Sequence, residues 1–348
     1  MTRTGLGRGF RFAAAMAVVA AGCNGPSPRS SGLTLPTAAG AGNGTLSGNL
    51  KSYTTGAPVA GATIRLGGSL AVSDASGAFT LTGTPTAGAA VLTAVQPGYV
   101  YRGVAFDLSP ERAGLVVDAI PDAPPFSLTF YRQLVRNSAF GGVMEPIRRW
   151  TANPNFYFQR LTVDTGTRVP DDVLNAIQTN FVQSIPELTG GRFTAGTFEA
   201  GDDARANAEG LVNVVFYRIL PFGQLGFSTV GGNIASITIR YDASLTSTPT
   251  TNPYSCSSIA LAVADHEITH TMGYWHTDAV LVDTFSGTGC PGSGRPEWTR
   301  YHASVAYSRP IGNLDPDVDP TTSAHAIAPG ARSRPVVACD FTAFRGRR

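Results

Sequence analysis

Short runs in which apolar and polar residues alternate, punctuated by glycine, fill the chain from Gly44 to about Ile120. A period of two marks a strand with one buried face. It predicts strands over Gly44–Leu50, Ala62–Leu66, Ala78–Thr82, Val91–Val95 and Val100–Leu108, with no helix of useful length. Such a series packs as a small antiparallel β-sandwich. Pro121 to Pro125 is a proline-rich hinge, and beyond it the pattern changes. Phe156 to Val163 alternates as a strand. Pro170 and Asp171 then open a helix to about Glu187, with Val173, Leu174, Ile177, Phe181 and Ile185 on one face. Strands follow at Val212–Ile219 and Ile234–Tyr241, and a helix from about Ser257 to Met272. Strand, helix, strand, strand, helix describes an α/β sheet with helices behind it.

Composition sharpens this picture. A chain of 348 residues is long enough for two domains, and 43% hydrophobic against 14% charged residues makes it globular. Forty glycines and 24 prolines suit β-rich modules joined by irregular segments. The net charge of +2, carried by scattered arginines with Lys51 the sole lysine, argues against a nucleic-acid partner.

The first residues read as an export signal. Arg3, Arg8 and Arg11 precede a short apolar run, Phe12 to Ala21, that is too short to span a bilayer. Ala20-Ala21-Gly22-Cys23 resembles a bacterial lipobox, which implies lipidation of Cys23. The expected organisation is a signal peptide (1–22), a lipidated cysteine and flexible tether (23–43), a β-sandwich (44–120), an α/β domain (121–311) and an irregular tail (312–348). The expected location is extracytoplasmic: outer membrane or cell surface, otherwise periplasmic or secreted. Membrane contact would be through Cys23 alone. In an oxidising compartment two of Cys256, Cys290 and Cys339 pair. Cys256 with Cys290 would tie the two ends of the segment between them, and Cys290 with Cys339 would pin the tail.

Three of the five histidines fall within His266-Glu267-Ile268-Thr269-His270-Thr271-Met272-Gly273-Tyr274-Trp275-His276. On a helix, residues four apart share a face, so His266 and His270 can reach one ion. Gly273 can take a positive φ, end the helix and return His276 as a third ligand. Three imidazoles leave open the fourth position that catalytic zinc needs. Zn2+ lowers the pKa of a water from 15.7 to about 7, and Glu267, beside the first ligand, is placed as the general base.

Two resemblances follow. Ala57 to Ile64, Ser73 to Phe79 and Pro97-Gly98-Tyr99 resemble the transthyretin-like (carboxypeptidase-regulatory-like) module, which implies a β-sandwich spacer without chemistry. His266, Glu267, His270, Gly273 and His276 match the extended zinc signature of the metzincins at every specified position. The Glu145-to-Trp150 stretch and the order of elements look like the matrixin side of that clan. This resemblance, over roughly residues 126 to 311, implies a zinc endopeptidase with a five-stranded sheet and a zinc helix, and a last helix at Glu297 to Tyr307. It makes Ile234 to Tyr241 the edge to which a peptide substrate adds as a strand.

Two departures stand out. No methionine follows His276 to form a Met turn, so Leu281 or Val282 is the stand-in, and no cysteine-switch prodomain is recognisable. The expected activity is hydrolysis of peptide bonds in protein or peptide substrates by a monomer. The competing class is an inactive surface-binding lipoprotein on the same fold. Retention of Glu267 favours the enzyme. Glu297 is a weaker candidate third ligand, His302 reads as a packed histidine, His325 as exposed, and Asp315 to Asp319 as a solvated acidic loop rather than a calcium site.

Overall fold

In the computed structural model, residues 42–108, 114–139, 143–220, 226–241, 259–277 and 295–321 are described. Residues 1–41, with the expected leader and Cys23, and Cys256, Cys290, Cys339, Leu281, Val282 and His325 lie outside them.

The alternating region forms seven strands: β1 (Gly44–Ser52), β2 (Thr63–Leu66), β3 (Ser69–Val72), β4 (Ala78–Thr84), β5 (Gly88–Val95), β6 (Arg102–Leu108) and β7 (Leu115–Ala119). They pair as two sheets, β4-β1-β7 and β3-β2-β5-β6. The period-two pattern places Leu46, Leu50, Ile64, Phe79, Leu81 and Leu92 in one buried cluster. Each such side chain contributes about 1.5–3 kcal/mol on burial. The expectation of a purely antiparallel arrangement needs correction, because β7 runs parallel to β1. Neither β3 nor β7 is foreseen from the pattern. Leu70 and Val72 of β3 and Val116 of β7 are exposed, so these short strands carry little of the alternation that betrays the others.

Past Pro125 come α1 (Leu128–Arg136), β8 (Asn155–Gln159), α2 (Asp171–Leu188), β9 (Phe198–Gly201), β10 (Leu211–Tyr217), β11 (Gly226–Ser228), β12 (Ile234–Arg240), α3 (Ile259–Thr271) and α4 (Glu297–Ser308). The five strands form one sheet in the order β11-β12-β10-β8-β9. β9, β8, β10 and β12 are parallel and β11 is antiparallel. The molecule is thus a mixed α/β fold, mostly β, with three sheets and four helices among the described residues. β12 pairs on both sides, so the expectation that Ile234 to Tyr241 forms an edge is wrong. The three-residue β11 takes that place, too short to carry a periodic signal.

Helix α2 opens after Pro170, with Asp171 and Asp172 in its first turn, where negative charge suits the helix dipole. Its Leu174, Ile177, Phe181 and Ile185 are buried, as their spacing predicts. Phe181 packs on Phe156, which stacks on Phe198 with ring centroids 5.0 Å apart. Helix α1 was not anticipated; Ser127 caps it by accepting from Phe130 N, and Asn137 ends it at φ 59°.

The acidic run 315–319 is not a solvated loop. Asp317 is buried at 1% exposure and Asp319 at 8%. Asp319 takes a bidentate pair from Arg102 at 2.7 Å on both oxygens, and Asp317 accepts from Arg309 Nε at 2.9 Å. Asp315 is held by Arg132. All six carboxylate oxygens of Asp315, Asp317 and Asp319 have arginine partners, which is why this cluster does not present the free oxygens a calcium site needs. No described helix is long and apolar enough to cross a membrane.

Candidate metal centre

Helix α3 is apolar on nearly every side, and residues 260–274 are buried throughout. It lies against α2, β11 and β12. A helix end in so dry a place must satisfy the carbonyls that have no partner within the helix. Ile268 O accepts from Met272 N, Thr269 O from Tyr274 N, and His270 O from Gly273 N and Gly231 N. Thr271 O takes the Trp150 indole N–H at 2.8 Å, and Met272 O takes the Tyr307 hydroxyl at 2.8 Å. The Glu145-to-Trp150 stretch therefore serves the site by closing the end of its helix.

Gly273 then reverses the chain at φ 109°, where a β-carbon would collide with the Arg148 carbonyl. Trp275 N donates to Leu134 O of α1 at 2.7 Å, and Tyr274 Oη donates to Leu188 O at 2.6 Å. With both flanks pinned, His276 comes back over the helix.

The three histidines meet at their Nε2 atoms. His266 and His270 are 3.1 Å apart, His266 and His276 3.1 Å, and His270 and His276 3.2 Å. This is the group of described residues that could hold a metal ion. Glu297, the weaker ligand candidate, is not in it; it starts α4.

Proton bookkeeping tests the fit. The Tyr274 carbonyl can only accept, so His270 Nδ1, 2.7 Å away, carries the proton and its Nε2 presents a lone pair. Hydrogen bonds cannot account for all three Nε2 contacts. If His266 and His276 both donate to His270, their two N–H groups oppose each other. If only one donates, two lone pairs face each other. A cation at the centre satisfies all three at once. An ion about 2.0–2.1 Å from each nitrogen would subtend N–metal–N angles of about 100°, near tetrahedral and open on one side. Imidazoles are borderline-soft ligands suited to zinc, copper, nickel and iron.

Electrostatics agree. Burial, then the neighbouring His270, His276 and Arg295, pushes the His266 pKa well below its usual value. Burial, followed by His270, does the same to His276, and burial takes His270 to about 4. All three are neutral at pH 7, the form that ligates. Burial raises Glu267 to about 8, opposed by a hydrogen bond from Ser228. Glu267 is 2% exposed and its Oε2 lies 2.8 Å from Ser228 Oγ on β11.

Several supporting residues escaped the sequence reading. Asp265, one position before the first histidine, accepts from Asn180, Ser184 and Arg295 at 2.8–3.0 Å, tying α3 to α2 and to the segment before α4. Ser228 and Gly226 lie on a strand too short to detect. Trp150 and Tyr274, by contrast, belong to stretches that the sequence singles out. His302 is a packed residue, as read: its Nε2 accepts from Ser127 N, its Nδ1 faces Trp298 O, and Phe126 and Phe130 enclose it.

No protein-family model matches the chain, and no curated protein does. Sixteen chains of solved structures match, among them two mutants of a type II cohesin–X-dockerin complex from Acetivibrio cellulolyticus. The N-terminal interface mutant is 23% identical, covers 22% of this chain and 57% of its own, and has a TM-score of 0.19. The C-terminal interface mutant is 21% identical, with 37% and 82% covered and a TM-score of 0.18. The chain thus spans little more than half the length of the first. Scores this low bear on neither fold nor function.

Proposed function

We propose that the chain is a zinc-dependent endopeptidase resembling the metzincins, with His266, His270 and His276 as ligands and Glu267 as general base. One observation carries the reading: three neutral imidazole nitrogens converge within 3.2 Å of one another, with a buried carboxylate at the next position of the same helix. Zinc there would supply a Lewis acid and make a water acidic enough to act near pH 7. The chain's own residues do the rest. Tyr274 O fixes the His270 tautomer. Beside a cation held by the three histidines the buried Glu267 would return toward its ionised form, and that carboxylate would accept a proton from the attacking water and return it to the leaving amine. The buried walls keep bulk water from competing for that carboxylate. On the same reading, the substrates are extracytoplasmic proteins or peptides, reached by a chain anchored through Cys23.

Hydrolysis of a mixed quenched-fluorescent peptide library by the full chain tests this. Removing zinc with a chelator should abolish cleavage, and restoring zinc should recover it. Glu267→Ala should lower kcat/KM by about 10²–10⁴-fold while the protein still binds one zinc. Cleavage that survives both treatments sinks the mechanism. A zinc-loaded protein that cleaves nothing sinks the peptidase reading.

A further inference from the structure

The short edge strand β11 faces the carboxylate of Glu267 with two small residues, Gly226 and Ser228, two positions apart and so on one side of the strand. Ser228 is 1% exposed, and its hydroxyl lies 2.8 Å from Glu267 Oε2 and 3.0 Å from Glu267 O. One hydroxyl has one proton to give. The Glu267 carbonyl already accepts from Thr271 Oγ1 at 3.1 Å, so the carboxylate is the acceptor that depends on Ser228. Gly226 meets the other oxygen: a β-carbon there would sit 3.0 Å from Glu267 Oε1 and 2.9 Å from Thr238 O, and would collide with Val263. The strand thus holds one carboxylate oxygen by a hydrogen bond and leaves the other uncrowded, because Gly226 has no β-carbon.

We propose that Ser228, with Gly226 beside it, is the positioning residue that fixes the Glu267 carboxylate at the three-histidine site. This rests on the zinc-peptidase reading and adds that the strand opposite the helix sets the aim of the base. A buried carboxylate held on one oxygen by a single hydroxyl loses its preferred direction when that hydroxyl goes. Removing the hydroxyl leaves a buried acceptor without its donor, which carries that group's desolvation penalty.

The test is a double-mutant cycle on the full zinc-loaded chain with Ser228→Ala, Glu267→Ala and the double variant, beside Ser228→Thr. Two readouts are taken: peptide hydrolysis, and affinity for acetohydroxamic acid, which chelates the ion and offers a proton to a neighbouring carboxylate. Ser228→Ala should lower kcat about tenfold or more, with KM and zinc content little changed. It should weaken hydroxamate binding several-fold, and neither effect should add to Glu267→Ala. Ser228→Thr, which keeps a hydroxyl, should recover most of both. A Ser228→Ala protein equal to wild type overturns the assignment. So does an equal penalty in the Glu267→Ala background, or loss of zinc or fold on substitution. Coupling in the hydroxamate cycle without any peptide cleavage supports Ser228 and removes the peptidase reading. A wild-type chain that binds no zinc overturns both.

Discussion

His302 shows how burial makes one side chain a pH sensor of the fold. Enclosed by Phe126, Phe130 and Trp298, it has its pKa pushed down to about 4, chiefly by burial, against about 6.5 when unfolded. Above pH 6.5 neither state binds the proton, and the contribution of the neutral ring is intact. Between 6.5 and 4 the unfolded chain takes up a proton that the folded chain refuses, so stability falls as pH falls. The shift corresponds to roughly 3 kcal/mol by pH 4. The site histidines share this sign, so the test must isolate His302. His302→Phe keeps the aromatic packing and cannot titrate. Urea midpoints from pH 8 to 4 should fall less steeply for it than for wild type, from a lower start at pH 8 because Ser127 N and Trp298 O lose their partner. Parallel profiles would show that the ring does not carry this penalty. Gly273 is a second such position. Gly273→Ala places a β-carbon on the Arg148 carbonyl at a φ of 109°, so the reversal that returns His276 cannot form. The protein should lose its zinc stoichiometry, read by metal analysis, even where circular dichroism shows it folded.

Helix α3 is held by neighbours as much as by its own sequence, and Asp265 is the main tie. Its carboxylate meets Arg295 at 2.8 Å with both side chains almost fully buried. Breaking a buried pair from one side costs about 3–5 kcal/mol, because the remaining charge is stranded. Asp265→Asn should therefore lower the unfolding free energy by that order, read as a fall in the urea midpoint at unchanged m. The double replacement Asp265→Leu with Arg295→Met should cost less than the sum of the single changes, since no charge is left behind. Additivity instead would mean that the two do not act as a pair. None of this is visible in sequence, where Asp265 is one acid beside a histidine and Arg295 lies thirty positions on. What sequence does show is periodic. Leu174, Ile177 and Phe181 declare α2, the alternation from Gly44 declares most of the first sheets, and the histidine spacing with Gly273 declares three imidazoles that could hold a metal ion. Features that escape are short or distant. β11 has three residues, β3 turns its apolar residues outward at an edge, and the partners of Asp317 and Asp319 include an arginine more than 200 positions away. A chain read locally cannot distinguish an acidic run that meets water from one that meets buried guanidinium groups.

That acidic run decides how the molecule holds together. The first two sheets and the five-stranded sheet have largely separate apolar clusters, although Val100 and Ile120 belong to the second. The polar junction between them is dense. Arg102 on β6 grips Asp319, Arg309 after α4 reaches Asp118 on β7 at 2.6 Å and Asp317 at 2.9 Å, and Asp317 and Asp319 bond to the backbone of Gly103. Gly103 itself must be bare, since a β-carbon would lie 2.9 Å from Val318. Tyr53 and Thr54 add bonds to Ser304 and Tyr301 of α4. Arg309 is 1% exposed and serves carboxylates from both sides of the junction, so it is the pivot. Arg309→Met leaves Asp317 buried with one ionic partner fewer, at a cost of about 3–5 kcal/mol. That loss falls on the coupling between the two clusters rather than on either core. In scanning calorimetry the wild-type chain should unfold in one transition and Arg309→Met in two, the earlier belonging to the less stable cluster. Salt at 1 M should not reproduce the effect, because screening hardly reaches buried charges. If Arg309→Met still melts in a single step, the apolar contacts of Val100, Ile120 and Phe126 hold the halves together unaided. If it splits, this polar junction is what holds the first two sheets rigidly against the five-stranded sheet and its three histidines.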